Sequence, residues 1–269
     1  MDQNPQIWRR PPDNLLRSRS QGVWGVAPAA GGMSLSPDSN RDFSAAPFWT
    51  PLQQVPAGTL VKVPEGKKTP AVFKPLTIRG VTFQNRVFVA PMCQYSYEDG
   101  FISDWTLVAI GSYAVRGAGL SIIEATAVAP EGRISPQDAG LWKDEHIAPF
   151  KRVADFVHSQ NQKIGVQIAH AGRLASTAAP WTGAKLVPHS EGGFDSVAPS
   201  EGKFSPQNSD PRELTIPEIK ELVEKFKDAA VRAVKAGIDV IEIHAAHGVS
   251  IHTSHMKTCK RHSSTNLAI

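Results

Sequence analysis

Only two cysteines, Cys93 and Cys259, occur in the 269 residues. That excludes a disulfide scaffold and fits a reducing compartment. No apolar run reaches the roughly 18 residues that a membrane-spanning helix needs, so no membrane partner is expected. Three glycine-bearing fingerprints are missing: G-x-G-x-x-G after a first strand, G-x-x-x-x-G-K-[ST] and G-x-S-x-G. Their absence argues against a dinucleotide-binding Rossmann domain, a P-loop and an α/β-hydrolase. An excess of one charge is also lacking in the middle of the chain. The formal charge is +4, from 29 basic and 25 acidic side chains. Residues 1–20 carry +2 of it and residues 249–269 carry +3, so residues 21–248 hold −1. A nucleic-acid partner would need a basic face on the folded part, and none is expected.

What is present is a 41% share of apolar residues, enough for a sizeable core. Residues 1–42 do not contribute to it. They hold Pro11–Pro12, an Ala/Pro/Gly stretch at 27–32 and a Ser/Pro/Asp/Asn stretch at 34–40, with no apolar period. A disordered N-terminal extension is expected there. Arg9, Arg10, Arg17 and Arg19 raise a mitochondrial presequence over residues 1–32, but Asp2, Asp13 and the early prolines weaken it. The expected location is the cytoplasm, and Met33 is a second candidate for the start of translation.

From Phe73 onward, strands and helices alternate. Arg86–Ala90, Leu120–Val128, Lys163–His170 and Ile238–His244 are short apolar runs rich in β-branched residues, read as strands. Asp104–Val115, Asp144–Gln160 and a segment opening at Thr215 are read as helices. In the second helix, Ile147, Phe150, Val153, Phe156 and Val157 share a face; in the third, Ile219, Leu222, Val223, Phe226 and Ala230 do. Thr215–Ile–Pro–Glu218 is a capping box with proline in the first turn. The order β-α-β-α-β-(loop 171–214)-α-β predicts an α/β fold with a parallel sheet. The count alone leaves a doubly wound sheet and a (β/α)8 barrel both open. Glu124, Gln167, His170, Glu242 and His244 fall late in their strands, where a barrel carries its chemistry.

Several side chains invite a chemical role. Cys93 follows the first strand, with Tyr95 and Tyr97 beside it as hydroxyl donors; no base is near it in sequence, which favours a packed thiol over a nucleophile. His244 and His247 form His–Ala–Ala–His–Gly. They serve either as a metal pair, which needs a third ligand, or as two donors to a polarised oxygen. His252, His255, Cys259 and His262 have a zinc-like spacing, but the segment is short and aperiodic, and no metal is expected.

Seven segments stand in register: Val72–Gly80, Asn85–Val87, Ala90–Tyr95, Glu124–Val128, Glu131–Ile134, Gly165–Arg173 and Val240–Gly248. Together, over residues 43–248, they resemble the Old Yellow Enzyme family of FMN-dependent ene-reductases, in its branch with a cysteine near the flavin. The resemblance implies a TIM (β/α)8 barrel family, with only about four N-terminal β/α units present. It implies that Ala90, Pro91, Met92 and Cys93 line FMN, that Ala125 touches the ring, and that Gln167 bonds its pyrimidine edge. His244 and His247 then grip a substrate carbonyl, and Tyr95 lies in the substrate pocket. NADH or NADPH is the implied reductant, and enones or enals are the implied substrates.

The departures from that pattern are equally specific. Val249 stands where the family has a proton-donating tyrosine, and Thr106 and Ala109 stand where it usually has histidines. Strands five to eight and their phosphate site are expected to be missing, which predicts weak or no FMN binding and weak or no activity. The alternative expectation is a non-catalytic half-barrel that self-associates through unpaired edges, or a misassembled gene product. Residues 249–269 are expected to form an irregular, non-family tail, read as a translated intron start.

Overall fold

The computed structural model describes residues 55–254, apart from 61, 62 and 64. The expected disordered extension over 1–42, the presequence, and His255, Cys259 and His262 lie outside the described residues.

After a 3₁₀ turn at Ala71–Phe73 comes a hairpin that the sequence reading did not contain. Strands β1 (Leu76–Ile78) and β2 (Val81–Phe83) pair antiparallel, with Ile78 opposite Val81. Arg79 and Gly80 both take positive φ, +48° and +88°, which is the backbone of a type I′ turn. β3 (Phe88–Val89) follows, shorter than the expected Arg86–Ala90. Helix α1 (Asp104–Ala114) starts where the Ser103 side chain accepts the Trp105 N–H. β4 (Leu120–Ala127) is buried along all eight residues, and the two-residue β5 (Ala139–Gly140) pairs with its end. Next come α2 (Ile147–Ser159), entered through a 3₁₀ turn, and β6 (Lys163–Ala169). The long loop contains one more small pair, β7 (Val197–Ala198) with β8 (Arg212–Glu213). α3 (Ile216–Lys235) carries the full capping box of Thr215 and Glu218, and leads to β9 (Val240–Ile243).

The four principal strands run parallel in the order β3-β4-β6-β9, with α1, α2 and α3 as crossovers. This is the α/β arrangement of a partial (β/α)8 barrel. The two faces of β6 differ as alternation requires. Ile164, Val166 and Ile168 are fully buried against the helices with Phe150, Val153 and Val157 of α2. On the other face, Phe83 of the hairpin covers Leu120 and Ile122, with Val240 packed against them. Ala229, Ala233 and Ala236 let α3 lie close to this core, with Leu222, Phe226 and Ala230 flanking. Val223, expected on that inner face, is instead 45% exposed. The capping box sets the helix start, but side-chain reach decides which residues it buries.

Residues 249–254 correct the expectation of an irregular tail from 249. Val249 and Ser250 are buried, and Ser250–Ser254 forms a short helix, α4. The Ser250 hydroxyl bonds His170 Nδ1 at 2.8 Å, and its N–H donates to the His170 carbonyl. A hydrogen-bonded, buried segment is ordered by its contacts rather than by any apolar period of its own.

Candidate active site

The polar residues gather at the C-terminal ends of the parallel strands. Ala125 of β4 stands opposite Gln167 of β6, and Gln167 opposite Glu242 of β9. The Gln167 amide donates to Glu242 Oε1 at 2.5 Å. Ala125 is buried and small, so the row is narrow at one end and polar at the other.

After β3 the chain runs without regular structure through Pro91–Tyr97. Ala90 and Met92 are exposed, whereas Pro91, Cys93 and Tyr95 are half-buried. Tyr95 has φ +50°, a left-handed conformation that costs a bulky L-residue on the order of 1–2 kcal/mol. Burial pushes the Cys93 thiol up to about 12, and the nearby Asp138 and Glu124 carboxylates add to it. Burial raises the Tyr95 phenol as well, and the neighbouring Cys93 and Asp138 add to the rise. Tyr95 meets the long loop through Trp181, ring centres 5.3 Å apart and edge to face.

Two carboxylates lie beneath this segment. Glu124 is 4% exposed and is pushed up to about 7 by burial, against hydrogen bonds that favour its charge. Its oxygens accept from Tyr97 Oη and from the Gln94 N–H, each at 2.5 Å. Tyr97 in turn accepts from Thr106 Oγ1 at 2.9 Å. Asp138 is pushed up to about 6 by burial, offset by Ser135 and the Ile134 N–H.

His244 and His247 follow β9. Their rings meet edge to face at 5.5 Å, helped by φ +58° at His247 and +88° at Gly248. Burial holds His244 below the usual histidine range, His247 adds to that, and Glu242 opposes it. The pair lines an open cavity of about 520 Å³ with Ile134, Leu174, Phe204 and Val249. Val249, with no proton to give, is therefore part of the cavity wall.

The sequence-derived residues thus fall into three groups: Cys93 with Tyr95, Ala125 beside Gln167, and His244 against His247. Cys93, Tyr95 and Gln167 do not line the histidine cavity. Sequence reasoning missed Asp138, Trp181 and Phe204. Ser135–x–x–Asp138 was a readable signal of a side-chain bond; Trp181 and Phe204 sit in an aperiodic loop and gave none. Among the described residues, no group of three His, Cys, Asp or Glu side chains could hold a metal ion. No helix among them is long and apolar enough to cross a membrane.

Comparison with known proteins gives the family of the chain. A chain of Gibberella zeae named as an NADH:flavin oxidoreductase is 51% identical over 211 residues, which are 77% of this chain and 50% of that one. The NADPH dehydrogenase of Bacillus subtilis (strain 168) is 44% identical over 183 residues, covering 67% of this chain and 50% of the relative. The chain therefore spans about half the length of the curated relatives it matches. Among solved structures, morphinone reductase in complex with tetrahydroNAD superposes with a TM-score of 0.63 at 29% identity, covering 72% of this chain and 55% of that one. An Old Yellow Enzyme homologue from Zymomonas mobilis gives 0.56 at 29% identity, covering 67% and 50%. The family profile matches residues 71–256, past the expected limit at Gly248, and the chain belongs to the NADH:flavin oxidoreductase / NADH oxidase family.

Proposed function

We propose that this chain acts in NAD(P)H-driven, FMN-dependent reduction of activated C=C bonds in α,β-unsaturated carbonyl compounds. The observation that carries the reading is the row Ala125–Gln167 at the strand ends, with the histidine pair just past the end of the next strand. The donor chemistry fits an isoalloxazine ring. A flat body needs a small neighbour, supplied by Ala125, and apolar edges, supplied by Pro91 and Met92. Its pyrimidine edge needs an amide, supplied by Gln167.

Bound FMN would supply the hydride, taken from NAD(P)H and given to the β-carbon of the alkene. Each remaining task belongs to a residue of this chain. Gln167 would exchange its bond to Glu242 for the ring edge. Cys93, protonated because of its raised pKa, would present a neutral sulfur to the flavin rather than a nucleophile. His244 and His247 would donate to the substrate oxygen as negative charge develops on it. Tyr95 would border the substrate. Val249 offers no proton, so the α-carbon would be protonated by solvent. With only two cysteines in the chain, the cytoplasm is the compartment proposed.

The test is a flavin titration of the full chain followed by enone reduction with NADPH and with NADH. We expect a weak perturbation of the flavin absorbance, in line with the weak binding expected from the sequence, and a weaker one still in Gln167→Ala. His244→Ala and His247→Ala should each lower turnover by ~10²–10³ without weakening flavin binding. Flavin absorbance unchanged by the protein, or turnover equal in all variants, would overturn the reading. A second reading, a self-associating half-barrel, is favoured by one observation: the edge residues Phe88 and Ile243 are 39% and 57% exposed.

A further inference from the structure

The segment that carries Cys93 and Tyr95 has no helix or strand of its own. Its backbone donors must still find acceptors, and one side chain from another element takes two donors, one on either side of Tyr95. Glu124 accepts the Gln94 N–H and the Tyr97 hydroxyl, each at 2.5 Å. The strand is shaped for this. Along the β4–β6 ladder, Ile123 faces Val166 and Ala125 faces Gln167, so Glu124 has no partner across the sheet. That extra residue is a β-bulge, the device by which strands re-aim a side chain beside a functional site. Here it sends a buried carboxylate under the loop while Ala125 keeps its place beside Gln167. The left-handed Tyr95 lies between these two contacts, and such a conformation persists only where its surroundings fix it.

We infer that Glu124 is a positioning residue: through the bulge in β4 it clamps residues 94–97 and so fixes where Cys93 and Tyr95 sit. What the clamp serves rests on the flavin reading above, because Cys93 and Tyr95 are the groups proposed to face the ring and the substrate. Other anchors of the loop act farther out. Gln94 Oε1 accepts from Trp105 Nε1 at 2.9 Å, and the Tyr97 N–H donates to the Gln137 carbonyl at 3.1 Å. Each of these holds one residue of the loop only, whereas Glu124 holds it on both sides of Tyr95.

Backbone amide exchange of the full chain without flavin tests the clamp. Glu124→Leu removes every acceptor, and exchange in segment 91–97 should rise ~10-fold or more, while β6 stays as protected as in the wild type. Glu124→Gln keeps one acceptor oxygen and should restore part of the protection. A uniform rise across all segments would reduce Glu124 to a general stability residue and overturn the proposal, as would no rise in 91–97. If Glu124→Leu does not fold, Tyr97→Phe deletes one of the two donors. It should raise exchange in 91–97 alone, and the absence of that local rise would equally overturn the clamp. No flavin enters this measurement, so a chain that failed to take up FMN would defeat the proposed function and leave the exchange result readable.

Discussion

His170 is 1% exposed, and the Gly172 N–H donates to its Nδ1 at 3.2 Å. The Nε2 side is buried with no hydrogen-bond partner. A ring in that setting resists a second proton, and burial pushes His170 down to about 4, with Lys225 adding and Glu131 opposing. Its folded pKa lies below the unfolded value of 6.5. The contribution to stability is therefore fully present above 6.5 and is lost as pH falls through about 4. The displacement corresponds to about 3 kcal/mol. Glu124 and Asp138 shift the other way: their folded pKa values are raised to about 7 and about 6, so they cost stability as pH rises through those values. A whole-protein pH profile mixes these effects, so the difference between two proteins is the useful quantity. His170→Asn should be less stable than the wild type above pH 6.5, with the gap closing towards about pH 4. Chemical unfolding at a series of pH values reads this gap, and a gap independent of pH would show that His170 does not titrate in that range.

At the scale of elements, α3 carries the clearest local instruction. Thr215 Oγ1 accepts the Glu218 N–H, and Glu218 Oε2 accepts the Thr215 N–H at 2.7 Å. Arg212 pairs with the same carboxylate at 2.8 Å and helps hold it well below its usual range, at about 2. Thr215→Ala should lower stability by about 1 kcal/mol, read as a lower urea midpoint with an unchanged slope. A midpoint matching the wild type would mean that Glu218 alone caps the helix. This capping box was legible because its chemistry is local. So were the four parallel strands and three crossovers, whose apolar runs need no knowledge of their neighbours. The β1–β2 hairpin was not, because Arg79–Gly80 lacks the Asn–Gly or Asp–Gly signal of a type I′ turn. β7 and β8 have two residues each, too few for any period. In the site, the strand-end polar residues could be read from position, but the pairing of Ala125 with Gln167 depends on a bulge that no pattern announces.

At the scale of the whole molecule, the sheet has two open sides among the described residues. β3 pairs only with β4, and β9 only with β6. Both edges are short, which limits their danger; β3 carries no lysine, proline or charge, and β9 carries one inward charge, Glu242, already bonded to Gln167. Ile243 is 57% exposed at the end of β9, and Val231 and Val234 of α3 are 47% and 65% exposed. An apolar strand edge and an apolar helix face left in water favour association. We therefore expect the purified chain to gain mass with concentration in sedimentation velocity, from the low micromolar range to about 100 μM. Ile243→Lys puts a charge on the free edge of β9 and should return the chain towards the monomer, because burying an unpaired ammonium costs more than the apolar contact yields. Ile243 is already more than half exposed, so the melting temperature of the variant should stay close to that of the wild type. A wild-type chain that remains monomeric over the whole range would show that these edges are covered in solution. Association that Ile243→Lys leaves unchanged would place the contact elsewhere than on β9.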